Sequence, residues 1–241
     1  MNKNQTIEKM KGMRLIAMAG MYQHHLQNNL FNDSTPDEYI SLLTDHEWED
    51  RQNKKIQRLL KQAAFRQKAT IVDIDYTSAR NLDKNMFARL SSLDFITKKE
   101  NLILTGASGV GKSYLAQALG HQACLMGLKT QYFITARLFN RLKLAKVDGT
   151  YNKELKKLMK LDLLILDDFG LTPLDKKQQM DLMEIMEDRH AKSSTIIASQ
   201  LPVSNWYDVI GEATIADAIL DRLVHTSHRI ELKGKSLRKK L

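Results

Sequence analysis

The pattern of hydrophobic and polar positions divides the chain into two parts. Residues 6–68 contain almost no glycine after Gly20 and are rich in Leu, Gln, Lys, Met and Ala, a composition that favours helices. Beyond residue 69, short apolar runs alternate with segments of helical periodicity, which is typical of a parallel sheet flanked by helices. The pattern therefore predicts a small all-α N-terminal domain, residues 1–68, and an α/β domain, residues 69–241.

Two helices are predicted in the N-terminal domain. The first has one face made of Ile7, Met10, Met13 or Arg14, and Ala17. The second begins at Ser34-Thr35-Pro36-Asp37-Glu38, which combines a hydroxyl cap, a proline in the first turn and acids near the positive end of the helix dipole. Its basic residues form either a solvated face or a surface for DNA or a partner: Arg51, Lys54, Lys55, Arg58, Lys61, Arg66 and Lys68.

The second part reads as an α/β domain introduced by a linker at 69–76. Strands are predicted at 101–105, 129–134, 161–168, 194–200 and 228–232. Helices are predicted at 82–93, 114–126, 136–144, 175–190, 206–210 and 214–224.

The first of these strands leads into a phosphate-binding motif. Residues 106–113 fit Gly-x-x-x-x-Gly-Lys-[Ser/Thr], the Walker A loop, and a predicted helix follows. Glycines let the backbone turn and direct its N–H groups at phosphate oxygens, and the helix N-terminus adds positive potential. We expect Lys112 to hold the β- and γ-phosphates and Ser113 to ligate Mg²⁺. The predicted nucleotide-binding residues are Gly106, Ala107, Ser108, Gly109, Val110, Gly111, Lys112, Ser113 and Tyr114.

The strand at 161–168 carries a second motif. It is apolar and ends in Asp167 and Asp168, the Walker B pattern. Asp167 is expected to bind Mg²⁺ through water or through Ser113, and Asp168 to orient or polarise an attacking water. On its own such an ending is a plain strand exit, but after a complete Walker A it predicts the second half of an ATPase site.

Polar residues at two further element ends are candidates for the same site. Ligands bind beyond the carboxyl ends of parallel strands, so Ser199 and Gln200 should lie beside the two motifs. At the end of the helix at 175–190, Arg189 and His190 could face a neighbouring subunit, although capping of the helix dipole is the simpler explanation.

The charge balance indicates an anionic partner. The formal net charge is +9, and the segment 137–160 holds eight Lys or Arg against Asp148 and Glu154 only. This segment is either a solvated helix surface or a set of contacts to a phosphate backbone. The candidates for DNA contact are Lys143, Lys146, Lys153, Lys156 and Lys157, and a basic tail follows at 233–240.

Cysteine usage and hydropathy indicate a cytoplasmic protein. Cys124 is the only cysteine, so no intrachain disulfide can form, and its place on a helix predicts a packed small hydrophobe. No run approaches the length of a membrane-spanning helix, and the first residues do not lead into a signal-type apolar region.

Taken together, several motifs closely resemble the IstB family, the AAA+ ATPase helpers of IS21-type transposition. The segments that carry the resemblance are 101–106, 109–113, 118–124, 162–168, 199–203 and 216–225. The wider AAA+ group includes the helicase loader DnaC and the initiator DnaA. The resemblance implies a P-loop AAA+ fold, and the seventeen residues after Val224 are too few for the C-terminal lid domain that many AAA+ proteins carry.

The resemblance also implies residue roles. Lys112 and Ser113 correspond to the nucleotide and Mg²⁺ ligands, Asp167 and Asp168 to the Walker B pair, and Arg222 in Ile-Leu-Asp-Arg-Leu to an arginine finger for an adjacent protomer. The residue that contacts the γ-phosphate as a sensor is either Ser199 or Gln200. A planar, permanently charged guanidinium suits the charge that develops on a transferred phosphoryl group. The alternative for Arg222 is a surface salt bridge with Asp217 or Asp221.

The function implied is that of a Mg·ATP-dependent ATPase. It would assemble as a homo-oligomer on duplex DNA, with ATP sites between subunits, remodel that DNA and engage the transposase of the same element; in a bacterium it would be cytoplasmic and nucleoid-associated when active. A helicase loader of the same fold, a small-molecule kinase and a non-hydrolysing DNA-binding scaffold are the alternatives. The basic segment disfavours the kinase, and the intact reactive residues disfavour the scaffold.

Overall fold

A computed structural model describes residues 3–30, 34–77 and 79–237. The helices are α1 (Lys3–Gly12), α2 (Ile16–Asn28), α3 (Pro36–Ala63), α4 (Lys84–Ser91), α5 (Asp94–Thr97), α6 (Lys112–Leu125), α7 (Thr135–Val147), α8 (Tyr151–Met159), α9 (Lys176–Arg189), α10 (Trp206–Ile210) and α11 (Ala213–Val224). The strands are β1 (Asn101–Gly106), β2 (Thr130–Ile134), β3 (Leu163–Phe169), β4 (Ser194–Ser199) and β5 (Ser227–Leu232), and a short 3-10 helix covers Val203–Asn205.

The chain forms two compact units, of which one ends at Arg58 and the other begins at Leu59. None of the described helices combines the length and apolar character that crossing a bilayer requires. The last basic residues of the tail, Arg238, Lys239 and Lys240, lie outside the described residues.

The first unit corrects the prediction of a single first helix. The chain breaks between α1 and α2, where Arg14 has a φ of 61°. The new helix start is stabilised from α3, because the N–H groups of Ala17 and Met18 donate to Glu47 Oε2 at 2.9 and 3.1 Å. A carboxylate from a distant helix thus caps α2. Periodicity within 6–17 contains no sign of this contact.

The start of α3 is where the sequence places it. The N–H of Thr35 donates to Glu38 Oε2 at 2.8 Å, and the N–H of Glu38 donates to Thr35 Oγ1 at 3.3 Å, which together form a capping box. Part of the basic surface of α3 is neutralised, since Arg51 pairs with Glu47 at 2.7 Å and Lys54 pairs with Asp50 at 2.7 Å.

In the second unit, the end of α3 packs on α6. Leu59 and Ala63 are buried together with Cys124. Burial raises the pKa of the Cys124 thiol to about 11, so the side chain stays protonated and serves as the small hydrophobe that was predicted. The chain that leaves α3 is also tied to α6, because the N–H groups of Arg66 and Gln67 donate to Gln117 Oε1 at 2.8 and 3.2 Å.

All five strands are parallel and lie in the order β2-β3-β4-β1-β5. Successive residues alternate between two cores: Leu104 packs towards α4, α5 and α6, whereas Ile103 packs towards α7 to α11. Burial on both faces explains why the strands read as continuous apolar runs rather than as alternating ones. The predicted doubly covered parallel sheet is confirmed.

Arg189 is buried within its own unit and does not face a neighbouring subunit. Its side chain is 2 % exposed. It donates to the carbonyl oxygens of Leu158 at 2.7 Å, Leu161 at 3.1 Å and Ser194 at 2.5 Å, and its Nε donates to Thr195 Oγ1 at 3.2 Å. The guanidinium therefore joins the end of α8 to the start of β4, and burial lowers its pKa to about 10.

Replacing Arg189 by Met should lower the free energy of unfolding by about 2–4 kcal/mol, because buried carbonyl groups lose their donors while the volume is roughly kept. Urea denaturation followed by circular dichroism would measure the change. Lys192→Met, at an exposed position nearby, is the control and should change stability by less than about 0.5 kcal/mol. Equal stability of the two variants would contradict the structural role of Arg189.

Candidate nucleotide-binding site

The phosphate-binding loop lies between β1 and α6. Gly111 is the N-cap of α6 and has a φ of 102°, a conformation in the region that favours glycine. A Cβ on Gly111 would also lie 2.4 Å from Nη1 of Arg80, so that guanidinium would have to move to make room for a side chain. The loop can therefore bring its backbone N–H groups close to a ligand at the start of a 14-residue helix.

Lys112 and Ser113 occupy the first turn of α6. Lys112 is buried, and its Nζ donates to the carbonyl oxygens of Gly106 and Ala107 at 2.7 and 2.8 Å. The ammonium group is thus held directly over the loop. Ser113 Oγ donates to Asp167 Oδ1 at 3.0 Å, so the two candidate metal ligands from Walker A and Walker B meet.

Asp167 is held by three donors. Besides Ser113, the N–H of Asp168 donates to Oδ1 at 2.9 Å, and the hydroxyl of Tyr132 donates to Oδ2 at 2.7 Å. Tyr132 comes from β2, where it is opposite Ile165 of β3. Burial, together with the hydrogen bond to Asp167, raises the pKa of Tyr132, so its hydroxyl remains a donor at neutral pH. No motif in the sequence marks Tyr132 as part of the site.

Asp168 follows with a backbone in the left-handed region, at a φ of 55°. Aspartate tolerates this conformation better than most residues do, although it still carries some strain. The turn separates the two carboxylates: Asp167 is buried against Ser113, whereas Asp168 lines the cavity above the loop. Neighbouring residues of one strand can therefore take different roles.

The two residues at the end of β4 are placed differently. Ser199 is buried, and its Oγ donates to the carbonyl of Phe169 at 2.7 Å and accepts from the N–H of Leu201 at 3.1 Å. Gln200 lines the cavity together with Lys112 and Asp168. Of the two, only Gln200 is placed to contact a ligand there.

The cavity has a volume of about 500 Å³ and an unexpected second wall. The segment 69–76, predicted to be a linker, contributes Asp73 and Asp75 to the cavity lining, and Arg66 and Gln67 before it and Arg80 after it also line the cavity. No periodic pattern or motif marks these residues as part of a site. Tyr114, named from the Walker A loop, is also in the lining.

Arg222 lies away from this cavity, at the other end of the sheet. The side chain of Asn101, the first residue of β1, donates to the carbonyl oxygens of Arg222 and Leu223 at 3.1 and 3.3 Å. Gly106 is at the far end of the same strand, roughly 16 Å away at the usual rise of a β-strand. The Arg222 guanidinium is 3.5 Å from Glu187 of α9, rather than paired with Asp217 or Asp221.

The five lysines named as DNA candidates fall into two groups. Lys146 is bound to Asp181 and lies over the ring of Tyr151 at 4.6 Å, and Lys157 pairs with Glu154 at 2.5 Å. Lys143, Lys153 and Lys156 are exposed and have no carboxylate within 4 Å in the described part of the chain. The second group is therefore the one available to an external anion.

The oxygen atoms at Ser113 and Asp167 fit a bound Mg²⁺. Magnesium is usually held by one or two protein oxygens together with phosphate oxygens and water, rather than by a cage of side chains. The described residues contain no cluster of three or more His, Cys, Asp or Glu that could hold a metal ion. Lys112 and the N-terminus of α6 supply the positive charge that a polyphosphate requires.

Comparison with known proteins shows which family this arrangement belongs to. The family model described as IstB-like ATP binding protein matches residues 8–241. An insertion sequence ATP-binding protein of Sinorhizobium fredii is 45% identical over 97% of this chain and 96% of its own length. The ATP-binding protein of insertion sequence IS21 from Pseudomonas aeruginosa is 32% identical over 84% of this chain and 77% of its own.

Two solved structures share this fold. DnaI superimposes with a TM-score of 0.58 at 23% identity, over 69% of this chain and 92% of its own. The DnaC helicase loader gives a TM-score of 0.53 at 24% identity, over 66% and 95%. At these identities the likeness concerns the fold alone, which is that of P-loop AAA+ ATPases. The chain belongs to the IstB-like ATP-binding proteins.

Gly111→Ala should weaken ATP binding roughly tenfold or more, because the left-handed backbone costs about 1–2 kcal/mol with a Cβ and the Cβ also meets Arg80. Titration with a fluorescent ATP analogue would measure the affinity, and thermal unfolding would show that the variant folds. The control is Gly20→Ala in α2, where a Cβ meets nothing within 4 Å. Unchanged ATP affinity in Gly111→Ala would contradict the proposed loop geometry.

Proposed function

We propose that this IstB-like ATP-binding protein is a Mg·ATP-dependent ATPase that oligomerises on duplex DNA, remodels it and stimulates the transposase of its insertion sequence. The observation that carries the proposal is the meeting of both motifs in one cavity, with Ser113 bonded to Asp167 and with Lys112, Asp168 and Gln200 around the same space. The insertion-sequence names of the relatives support the biological role.

Each residue around the cavity has its own role in phosphoryl transfer to water. Lys112 exchanges its two carbonyl partners for oxygens of the β- and γ-phosphates. Ser113 and Asp167 would hold Mg²⁺, which would supply positive charge to neutralise the phosphates. Asp168 orients the attacking water and accepts its proton, while the amide of Gln200 donates to the γ-phosphate. Tyr132 keeps the Asp167 carboxylate in one orientation by occupying its second oxygen.

The site is completed between subunits. Arg222 is at the opposite end of β1 from the loop, so its side chain cannot reach the cavity of its own chain. A head-to-tail arrangement of identical chains would place the Arg222 end of one subunit against the loop end of the next. Arg222 would then leave Glu187 and stabilise charge on the neighbour's γ-phosphate.

Duplex DNA is bound mainly through its phosphates. Lys143, Lys153 and Lys156 are on α7 and α8, two helices that are fixed to α9 by the contacts of Lys146 and Tyr151 with Asp181. A rigid pair of helices with exposed lysines suits contacts to a backbone and does not read base sequence. The alternative function, that of a helicase loader, has less support, because the likeness to the DnaC helicase loader concerns the fold alone.

Mixing two inactive variants tests the shared site. Lys112→Ala and Arg222→Ala should each lower DNA-stimulated ATP hydrolysis by about a hundredfold or more. A 1:1 mixture should recover up to about a quarter of the wild-type rate, because in random head-to-tail assembly that share of interfaces joins an intact loop to an intact Arg222. Oligomers of the mixture that show no recovery would contradict a role of Arg222 across the interface.

Salt dependence tests the DNA contacts. Replacing Lys143, Lys153 and Lys156 together by Gln should reduce the slope of log affinity against log salt by up to about 3, since each lost phosphate contact contributes about 0.9. Fluorescence anisotropy with labelled duplex DNA at several salt concentrations gives the slope. The control is the triple change of Lys98, Lys176 and Lys192, all exposed elsewhere, to Gln. Equal slopes in the two triple variants would contradict the assignment of the DNA surface to α7 and α8.

A further inference from the structure

The second wall of the cavity holds a buried arginine whose partners are unusual. Arg80 is 3 % exposed, although it belongs to an irregular segment before α4. Its Nη2 donates to the carbonyl of Asp75 at 2.6 Å, and its Nη1 donates to the carbonyl of Val110 at 3.2 Å. Its Nε is buried and has no hydrogen-bond partner among the residues that the structure describes.

No carboxylate among the described residues contacts the Arg80 guanidinium directly, although the charge of Asp75 acts on it from a greater distance. Within the described ranges no carboxylate oxygen lies within 4 Å of its guanidinium, and its two hydrogen-bond acceptors are neutral carbonyls. Burial lowers its pKa, but a guanidinium remains charged in proteins at any ordinary pH. A buried cation without an anion in direct contact is costly, and an anionic ligand in the cavity would offset that cost at closer range than Asp75 does.

Arg189 shows how a purely structural arginine looks in the same chain. It is buried to the same degree, but both of its terminal nitrogens and its Nε have acceptors, four in all. Arg80 has two acceptors and one idle donor. The difference is explained if some of the N–H donors of Arg80 are available to a ligand that binds and dissociates.

The position of Arg80 identifies that group. Its Nη1 is the atom nearest to the point where a Cβ on Gly111 would lie. Arg80 also lines the same cavity as Lys112 and Ser113. In a Walker A loop the backbone around this glycine surrounds the α- and β-phosphates, whereas the lysine reaches the β- and γ-phosphates. A guanidinium beside Gly111 therefore faces the inner phosphates of a bound nucleotide.

We propose that Arg80 is a phosphate-binding residue of the nucleotide site, which contacts the α- or β-phosphate from the wall opposite α6. The proposal rests on ATP binding in this cavity and on no other part of the proposed function. It assigns a ligand contact to a segment outside both Walker motifs. Because the inner phosphates are common to ATP and ADP, the contact contributes to the affinity for both and does not discriminate between them.

The test compares Arg80→Gln with Arg80→Lys and with Arg89→Gln. Arg89 is an exposed arginine on α4 outside the cavity, so its variant matches the loss of charge. Affinities for fluorescent ATP and ADP analogues are measured without DNA or transposase. We expect Arg80→Gln to weaken both by about ten- to a hundredfold, Arg80→Lys to weaken both less, and Arg89→Gln to leave them unchanged.

Thermal unfolding separates ligand binding from folding. Inorganic tripolyphosphate, which has no base or ribose, should raise the melting temperature of the wild-type protein and of Arg89→Gln but not that of Arg80→Gln. If Arg80→Gln does not fold, the same comparison is made with Arg80→Lys, whose smaller stabilisation by tripolyphosphate would support the proposal.

Three results would overturn the assignment. The first is wild-type affinity for both nucleotides in Arg80→Gln. The second is a loss confined to ATP, which would place Arg80 at the γ-phosphate. The third is a lower melting temperature without ligand together with an undiminished shift by tripolyphosphate, which would make Arg80 structural. A failure of DNA stimulation or transposase activation would leave these measurements unaffected, so the two proposals can fail separately.

Discussion

The hydrogen bonds to the Asp167 carboxylate are the constraint on which the site depends. They join the helix after β1, through Ser113, to the ends of β2 and β3, through Tyr132 and the N–H of Asp168. A carboxylate with both oxygens engaged cannot rotate without losing a partner, so the distance between the Walker A helix and the Walker B strand is set before any ligand binds. Such preorganisation is what electrostatic catalysis of phosphoryl transfer requires.

The same region connects the site to the rest of its unit. Gln117 accepts from the N–H groups of Arg66 and Gln67 and donates to the carbonyl of Ser113 at 3.0 Å. The segment that follows α3 is thus hydrogen-bonded to the helix turn that carries the candidate metal ligand. That segment continues into the second wall of the cavity, so the site includes residues on both sides of the nucleotide space.

The basic side chains of this protein fall into two groups, those that pair with a carboxylate and those that do not. Many basic side chains are paired within the protein, as Lys157 is with Glu154 and Lys54 with Asp50. Others, Arg80 in the cavity and Lys153 on α8 among them, have no carboxylate within 4 Å in the described residues. The net charge of the sequence could not distinguish the paired from the unpaired ones, because partners such as Asp181 for Lys146 are distant in sequence.

The sequence by itself determined the parallel α/β architecture, the place of both Walker motifs and the start of α3, because these follow from local patterns: apolar runs, a glycine-rich loop before a helix, a capping box. Only the tertiary structure decided that Gln200 rather than Ser199 lines the cavity, that α1 and α2 are separate, and that Tyr132 and Arg80 belong to the site. Those results depend on contacts between residues far apart in the chain, such as Glu47 with Ala17, and no local pattern encodes such contacts.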